Sequence, residues 1–264
     1  SACLVGSEMC IRDSNTPRAW YMLRYFNPNT FVWDGPDADF TPRSDDLPWC
    51  MVPEKKVTPE DVKYVLSSHY QGTPYDPYAA AAAEKGIYRP IGVNRNDFMA
   101  LLQMRPDQPE ESRAVEWVAY ASNAFNTMVP FYANVERTPE YLANTTGTVS
   151  TDNFYWTSRL IAAMADASYN KSLFHLERYE EAVLSAARAL VNGYDAKLAA
   201  EQDAASRAAL REEANTAIAA MLQEKAADTL DKVLFELSSQ MKNSYSRSDA
   251  SVSYTHLTLP TKLE

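Results

Sequence analysis

Around Tyr88 to Pro130 the chain reads IYRPIGVNRNDFMALLQMRP, an acidic break, then AVEWVAYASNAFNTMVPFY. Three runs of strand composition crowd into this stretch: Tyr88–Arg95, Asp97–Met104 and Ala114–Ala121. The first two flank a polar turn at Asn94-Arg95-Asn96-Asp97, a pattern that predicts a hairpin. The third is rich in Val, Trp and Tyr, which suit a pleated, half-buried surface. Ahead of the stretch lie loops and one short helix. Behind it lies mostly helix. Strands grouped first and helices grouped after them predict an α+β chain.

Residues 15–57 are rich in Pro, Asp and aromatics, including Trp20, Tyr21, Tyr25, Phe26, Phe31 and Trp33. Proline breaks long helices, and so many aromatics argue against a disordered linker. An ordered excursion covering a core or a cleft is expected. Thr58-Pro59-Glu60-Asp61 has an N-cap threonine, proline at the first helical position and acids in the first turn, so it predicts a helix over 59–68. The next segment, HYQGTPYDPY, is turn-rich. Ala79–Ala83 could be helical, closed by Gly86. Phe125–Tyr132 contains Pro130 and is expected to lead away from the sheet. Thr138-Pro139-Glu140 opens a second short helix, and Asp152–Ala167 reads as a buried one. Beyond Ser172 the apolar spacing is helical. One helix passes or ends at Gly193, a second covers Ala204–Ala227 and a third starts at Thr229.

The two ends read differently. Leu4–Ser14, LVGSEMCIRDS, resembles the translation of a transposase adapter used in sequencing libraries, and Val252–Thr261, VSYTHLTLPT, resembles the inverted adapter. Residues 1–14 and 251–264 are therefore expected to be adapter-derived and not native. That leaves an internal piece, with 15–170 as part of a catalytic domain and 171–250 as a helical region packed on it.

The formal net charge is −10. The adapter-like ends carry −1 (Glu8, Arg12, Asp13) and 0 (Lys262, Glu264), so −9 remains. Such a chain offers no footprint for a phosphate backbone, so no nucleic-acid partner is expected. No apolar run approaches the roughly 20 residues that span a bilayer, so no membrane partner is expected either. Outside the adapter-like ends one cysteine remains, Cys50. No disulfide framework is possible, which fits a cytoplasmic compartment without fixing it. The three histidines are scattered, and no metal or other cofactor is expected. A homo-oligomer is left open.

The segments PWCMVPEKKVTPEDV, HYQGTPYDPY, YRPIGVNRNDFMALLQMRP, SNAFNTMVPFYANV and VSTDNFYWTSRLIAAMADA follow one another from about Val52 to Ala167. Together they resemble the cysteine-type dipeptidases, secernin relatives among the N-terminal-nucleophile hydrolases. The resemblance implies a four-layer αββα sandwich, incomplete in this chain, and a short peptide as substrate. It also implies a nucleophilic Cys at a mature N-terminus, whose α-amino group is the base. That Cys is expected to be absent from this chain.

Amide hydrolysis also needs oxyanion donors and a grip on the substrate. Asn126 and Asn123, just past the third strand, are candidate oxyanion or positioning residues. Arg89 is a candidate clamp for a substrate carboxylate through its bidentate fork. Asn94 and Ser122 are weaker substrate-binding candidates. Each has a structural alternative: an ion pair for Arg89, loop backbone bonding for Asn126, a turn role for Asn94. His69 reads as a loop or surface histidine, because no acid and nucleophile surround it in sequence. Cys50, internal between Pro48 and Pro53, is rejected as the nucleophile. Two other readings stand beside the peptidase: a non-catalytic secernin-like scaffold, and an amidase or acylase acting on non-peptide amides. A carboxylate placed to bind a free substrate amine would tell peptide from non-peptide substrates.

Overall fold

The computed structural model of the protein describes residues 15–79 and 84–242. The two adapter-like ends and residues 80–83 of the expected alanine helix lie outside them. The architecture is α+β. A three-stranded antiparallel sheet, order β1-β2-β3, is formed by β1 (Phe98–Met104), β2 (Ala114–Tyr120) and β3 (Val129–Tyr132). Helices surround it: α1 (residues 15–26), α2 (Pro59–Leu66), α3 (Glu140–Ala143), α4 (Phe154–Ala167), α5 (Tyr169–Ala200) and α6 (Ala204–Ser238).

The expected hairpin is corrected. Residues 88–95 form no strand, and β1 pairs with β2, Phe98 opposite Tyr120 and Met104 opposite Ala114. Ile91 and Gly92 donate their N–H groups to the Ser68 carbonyl at 3.0 and 2.9 Å, so these donors serve a loop contact instead of a ladder. β3 is a second correction. Val129–Tyr132 stays in the sheet, with Pro130 opposite Trp117. Proline is tolerated because β3 is an edge strand. The Tyr132 N–H donates to Asn215 Oδ1 at 2.8 Å, and Asn215 Nδ2 donates to the Tyr132 carbonyl at 3.0 Å. Tyr132 therefore points both backbone groups away from β2. Pro130, two residues earlier, shares that orientation, so its missing N–H falls on the outer side.

One sheet face packs on the long helices. Trp117 lies under the Arg188 guanidinium of α5, and the Tyr132 hydroxyl donates to Asp195 of α5 at 2.7 Å. Arg105, just past β1, grips Asp195 with two nitrogens at 2.6 and 3.1 Å. Met99, Val115, Val183, Ala187, Leu198, Ala214, Ile218 and Leu222 belong to the same buried cluster. On the other face Tyr120 meets Phe154 of α4, but Phe98, Leu102 and Met104 of β1 are 55, 74 and 65 % exposed.

The long helices also differ from expectation. Gly193 lies inside an unbroken α5, and the two expected helices after Ala204 are one. Thr229, read as the start of a third helix, instead bonds its hydroxyl to the Lys225 carbonyl one turn back at 2.8 Å. α1 was not expected. It seats Trp20 and Tyr21 in a second small core with Trp33, Tyr70 and Tyr88.

α2 forms as predicted. The Thr58 hydroxyl accepts from the Asp61 N–H, and Asp61 returns bonds to the Thr58 N–H and hydroxyl. Burial alone would raise the Asp61 carboxyl, yet bonds from Thr58, Tyr25 and Lys55 outweigh it and hold the group well below the usual carboxylate range.

Two outcomes follow. Asn215→Ala leaves a buried N–H and C=O of Tyr132 without partners, and should lower the unfolding free energy by about 2–4 kcal/mol in urea denaturation; a loss below about 0.5 kcal/mol would mean that water replaces the amide. A carboxyl depressed in the folded state contributes stability above its unfolded value of about 3.9, and that contribution is lost as pH falls through the folded value. Between about pH 5 and 2 the protein should therefore lose more stability than its Asp61→Asn variant does, measured as unfolding free energy against pH.

Candidate functional site

The loop after α2 folds back on itself through its own short side chains. Gln71 Oε1 accepts from the Ser68 hydroxyl and the His69 N–H, and the Thr73 hydroxyl donates to the Tyr70 carbonyl at 2.7 Å. Tyr70 adopts φ 66°. Its hydroxyl reaches the Arg89 carbonyl at 3.0 Å, which pins residues 88–92 beside the loop. At Gly92 the backbones touch: a Cβ there would lie 2.3 Å from the Ser67 carbonyl oxygen.

This fold-back places His69 and Asp76 in contact. His69 Nδ1 and Asp76 Oδ1 are 2.9 Å apart, both residues are buried, and Asp76 also accepts the Tyr78 N–H. His69 Nε2 meets the hydroxyl of Tyr169, at the start of α5, at 3.1 Å. An ionised Asp76 can only accept, so the Nδ1 proton points to it. In the neutral imidazole Nε2 is then bare, and Tyr169 donates to it. Tyr78 stacks on Tyr169 with centroids 4.0 Å apart and donates to Asp166 at 2.5 Å. Burial, followed by the charges of Asp76 and Glu177, pushes the Tyr169 phenol up to about 12, and burial with Asp166 raises Tyr78 as well. Both remain neutral hydroxyls near pH 7.

Two clefts flank this network and share Tyr78 and Phe125. The first, about 460 Å³, lies between α2, the 67–79 loop and the start of α5, and includes Ser67, His69, Asn126, Tyr169 and Glu177. The second, about 520 Å³, lies between residues 90–94 and α4. Both fall in the size range of small-molecule sites. Between them runs the connection out of β2. Ala121 turns it at φ 56°, its N–H bound to the Asp97 carbonyl at 2.8 Å.

The five sequence candidates distribute as follows. Ser122 and Asn94 come together in the second cleft, where the Asn94 carbonyl accepts from the Ser122 hydroxyl at 3.4 Å and from Arg159 at 2.9 Å. Asn126 lines the first cleft, but its amide is engaged: Nδ2 donates to the Tyr120 carbonyl, and Oδ1 accepts the Thr127 N–H at 2.7 Å. Asn123 is buried, and its Oδ1 has no partner among the described residues. Arg89 is exposed and lines neither cleft; its backbone is held, while its guanidinium has no ion pair among the described residues. Cys50 is an exposed free thiol.

The His69–Asp76–Tyr169 set escaped the sequence reading. His69 is a loop histidine, as read, but it is buried and has an acid. The spacing of His69 and Asp76 across Gly72 and Pro74 carried that half of the signal. Tyr169, a hundred residues on, carried none.

The sequence model of peptidase family C69 matches residues 7–182. A dipeptidase of Bifidobacterium longum (strain NCC 2705) is 44% identical over 274 residues, 89% of this chain and 51% of that protein. A probable dipeptidase A of Streptococcus pyogenes serotype M18 is 45% identical over 240 residues, 90% of this chain and 48% of that protein. Dipeptidase A of Lactobacillus helveticus is 40% identical over 163 residues, 60% and 32% of the two chains. The chain thus spans about half the length of the first two of these curated relatives.

The Gly92–Ser67 contact holds the Arg89–Asn94 segment against the loop that carries His69. Gly92→Ala must push two backbones apart and should cost about 1–3 kcal/mol, read from thermal unfolding. A change below about 0.5 kcal/mol would mean that the segment is free to shift.

Proposed function

The chain belongs to peptidase family C69, and from that premise we propose that the protein it comes from hydrolyses dipeptides. What carries this reading is the agreement between the family match and relatives named dipeptidases at 44 and 45% identity over about nine-tenths of this chain.

In this proposal the nucleophile is the thiol of an N-terminal Cys outside the described residues. Its α-amino group, with a reference value of about 8, takes the thiol proton and passes it to the leaving amine. The sulfur forms a thioester with the acyl half of the substrate as the C–N bond breaks. Water, deprotonated by the same amine, then releases the acid and restores the thiol. Cys50 is internal and has no α-amino group of its own, so it cannot act in this way. Arg89, with its backbone held and its guanidinium without an ion pair among the described residues, is suited to clamp the substrate carboxylate. Asn123 is the freer of the two asparagines to turn its amide on the oxyanion. Asn126 holds the turn through Tyr120 and Thr127. Asn94 and Ser122 line the neighbouring cleft, where substrate would continue.

The proposal includes an αββα sandwich. A second sheet would give the open face of β1, with Phe98, Leu102 and Met104, an apolar layer to pack on.

The test uses the full-length protein and this chain side by side. The full-length protein should cleave dipeptides and lose that activity to iodoacetamide; cleavage that survives alkylation overturns the thiol mechanism. This 264-residue chain should not turn over, and activity in it would place the nucleophile inside the chain. Binding of dipeptides by the full-length protein with no cleavage would favour the scaffold reading.

A further inference from the structure

The first cleft has a polarity that the hydrolytic proposal does not use. Among the described residues its one lysine is Lys63, which is buried and paired with Glu180 at 2.9 Å and so is not a free cation. Its other charged groups include Asp76 and Glu177. Glu177 is exposed on α5 and has no hydrogen bond or ion pair among the described residues, while its charge is felt by Tyr169. Ser67 lines the same cleft, is 5 % exposed, and its hydroxyl oxygen is buried without a partner among the described residues. A buried hydroxyl left unpaired costs roughly 1–3 kcal/mol, which a ligand would recover.

The relay fixes the sign of the remaining wall. With His69 neutral and its one proton held on Nδ1 by Asp76, the Tyr169 hydroxyl is spent on Nε2 and shows the cleft its oxygen lone pairs. Tyr169 and Glu177 are then acceptors, and Ser67 can be one. The stacked rings of Tyr78 and Tyr169, with Tyr64 nearby, add negative π-faces. A carboxylate ligand would find no free cation here among the described residues. An ammonium group, with three donors and no acceptor, matches these three acceptors.

We propose that this cleft is a binding site for the free α-ammonium group of a short peptide, with the Glu177 carboxylate, the Ser67 hydroxyl and the Tyr169 oxygen as its acceptors and His69–Asp76 as the pair that orients Tyr169. This rests on the peptide reading above and sharpens it, because it sets the amino end of the substrate in one cleft and leaves Arg89 for the carboxyl end.

The probes are alanyl-alanine amide and its N-acetyl derivative, in which a neutral acetamide replaces the ammonium. Calorimetric titration of the whole chain should show the free amine binding about tenfold more tightly or better. Glu177→Gln, an isosteric change at an exposed position, should remove most of that preference and leave the acetylated probe unchanged. Ser67→Ala should weaken the amine alone. Glu181→Gln, exposed on the same helix but outside the cleft, removes the same charge and should change nothing. Equal affinity for the two probes, no binding of either, or a preference that survives Glu177→Gln overturns the proposal. The outcomes separate from the hydrolytic test. Cleavage of dipeptides by the full-length protein with no amine preference here would sink this site and keep the peptidase. An amine preference without cleavage would do the reverse.

Discussion

Asn215 bonds both backbone groups of Tyr132 from 83 residues away, and the placement of the sheet depends on that contact. Three strands have two edges and two faces, too much polar backbone for so little area. A desolvated edge N–H and C=O would cost several kcal/mol if left unpaired. The amide supplies one acceptor and one donor at the spacing a fourth strand would offer. It thereby locks β3 to α6. Tyr132 in turn locks β3 to α5 through its own hydroxyl, where Asp195 accepts from Tyr132 and Arg105 together. Burying two ionised groups is costly unless their hydrogen bonds are filled. Here the carboxylate meets a forked guanidinium and a phenol, so sheet, α5 and α6 share one orientation.

With the sheet fixed, the site follows from where β2 leaves it. Ala121 at φ 56° bends the chain so that Ser122 faces one cleft and Asn126 the other, with Phe125 common to both. A left-handed alanine costs roughly 1–2 kcal/mol, so the surroundings must hold it. The Asp97 carbonyl does so from the start of β1. On the opposite wall the Gly92–Ser67 contact sets how closely residues 88–94 approach the histidine loop. The clefts are the spaces left between these two constraints, and both walls trace back to rigid elements.

The sequence was legible where local chemistry decides. α2 was fixed by Thr58 and Asp61 capping each other, β2 by a run rich in Val, Trp and Tyr, and β1 by an apolar run bounded by polar turns. It failed where a distant partner overrides composition. Tyr88–Arg95 has strand composition, but Gly92 makes it a loop by fitting against Ser67, a contact no local pattern announces. Pro130 suggested an exit from the sheet because its edge position depends on Asn215. Thr229 looked like a helix start, yet its hydroxyl can close back on a carbonyl within a helix that packing holds straight. Arg89, Asn94, Ser122, Asn123 and Asn126 were picked for chemistry, and the fold separates them among two clefts, a buried turn and the surface. The His69 relay is the same failure in reverse, a cluster assembled from residues that looked unremarkable apart.

That relay also shows why net charge is a poor guide to what a cleft accepts. An acidic chain attracts cations everywhere at its surface, and salt screens that attraction over about 8–10 Å. Selection needs a short-range feature that screening does not erase. Here it is the direction of one proton. Asp76 orients His69, His69 takes the hydrogen of Tyr169, and burial keeps that phenol neutral near pH 7, so its oxygen cannot become a competing anion. Were Asp76 an asparagine, either ring nitrogen of His69 could carry the proton, and Tyr169 could present a donor or an acceptor. For a neutral imidazole the Asp76 carboxylate, itself part of the cleft wall, removes that ambiguity. Through that one bond it sets which atom of Tyr169 faces the cleft, something that no count of surface charge reveals.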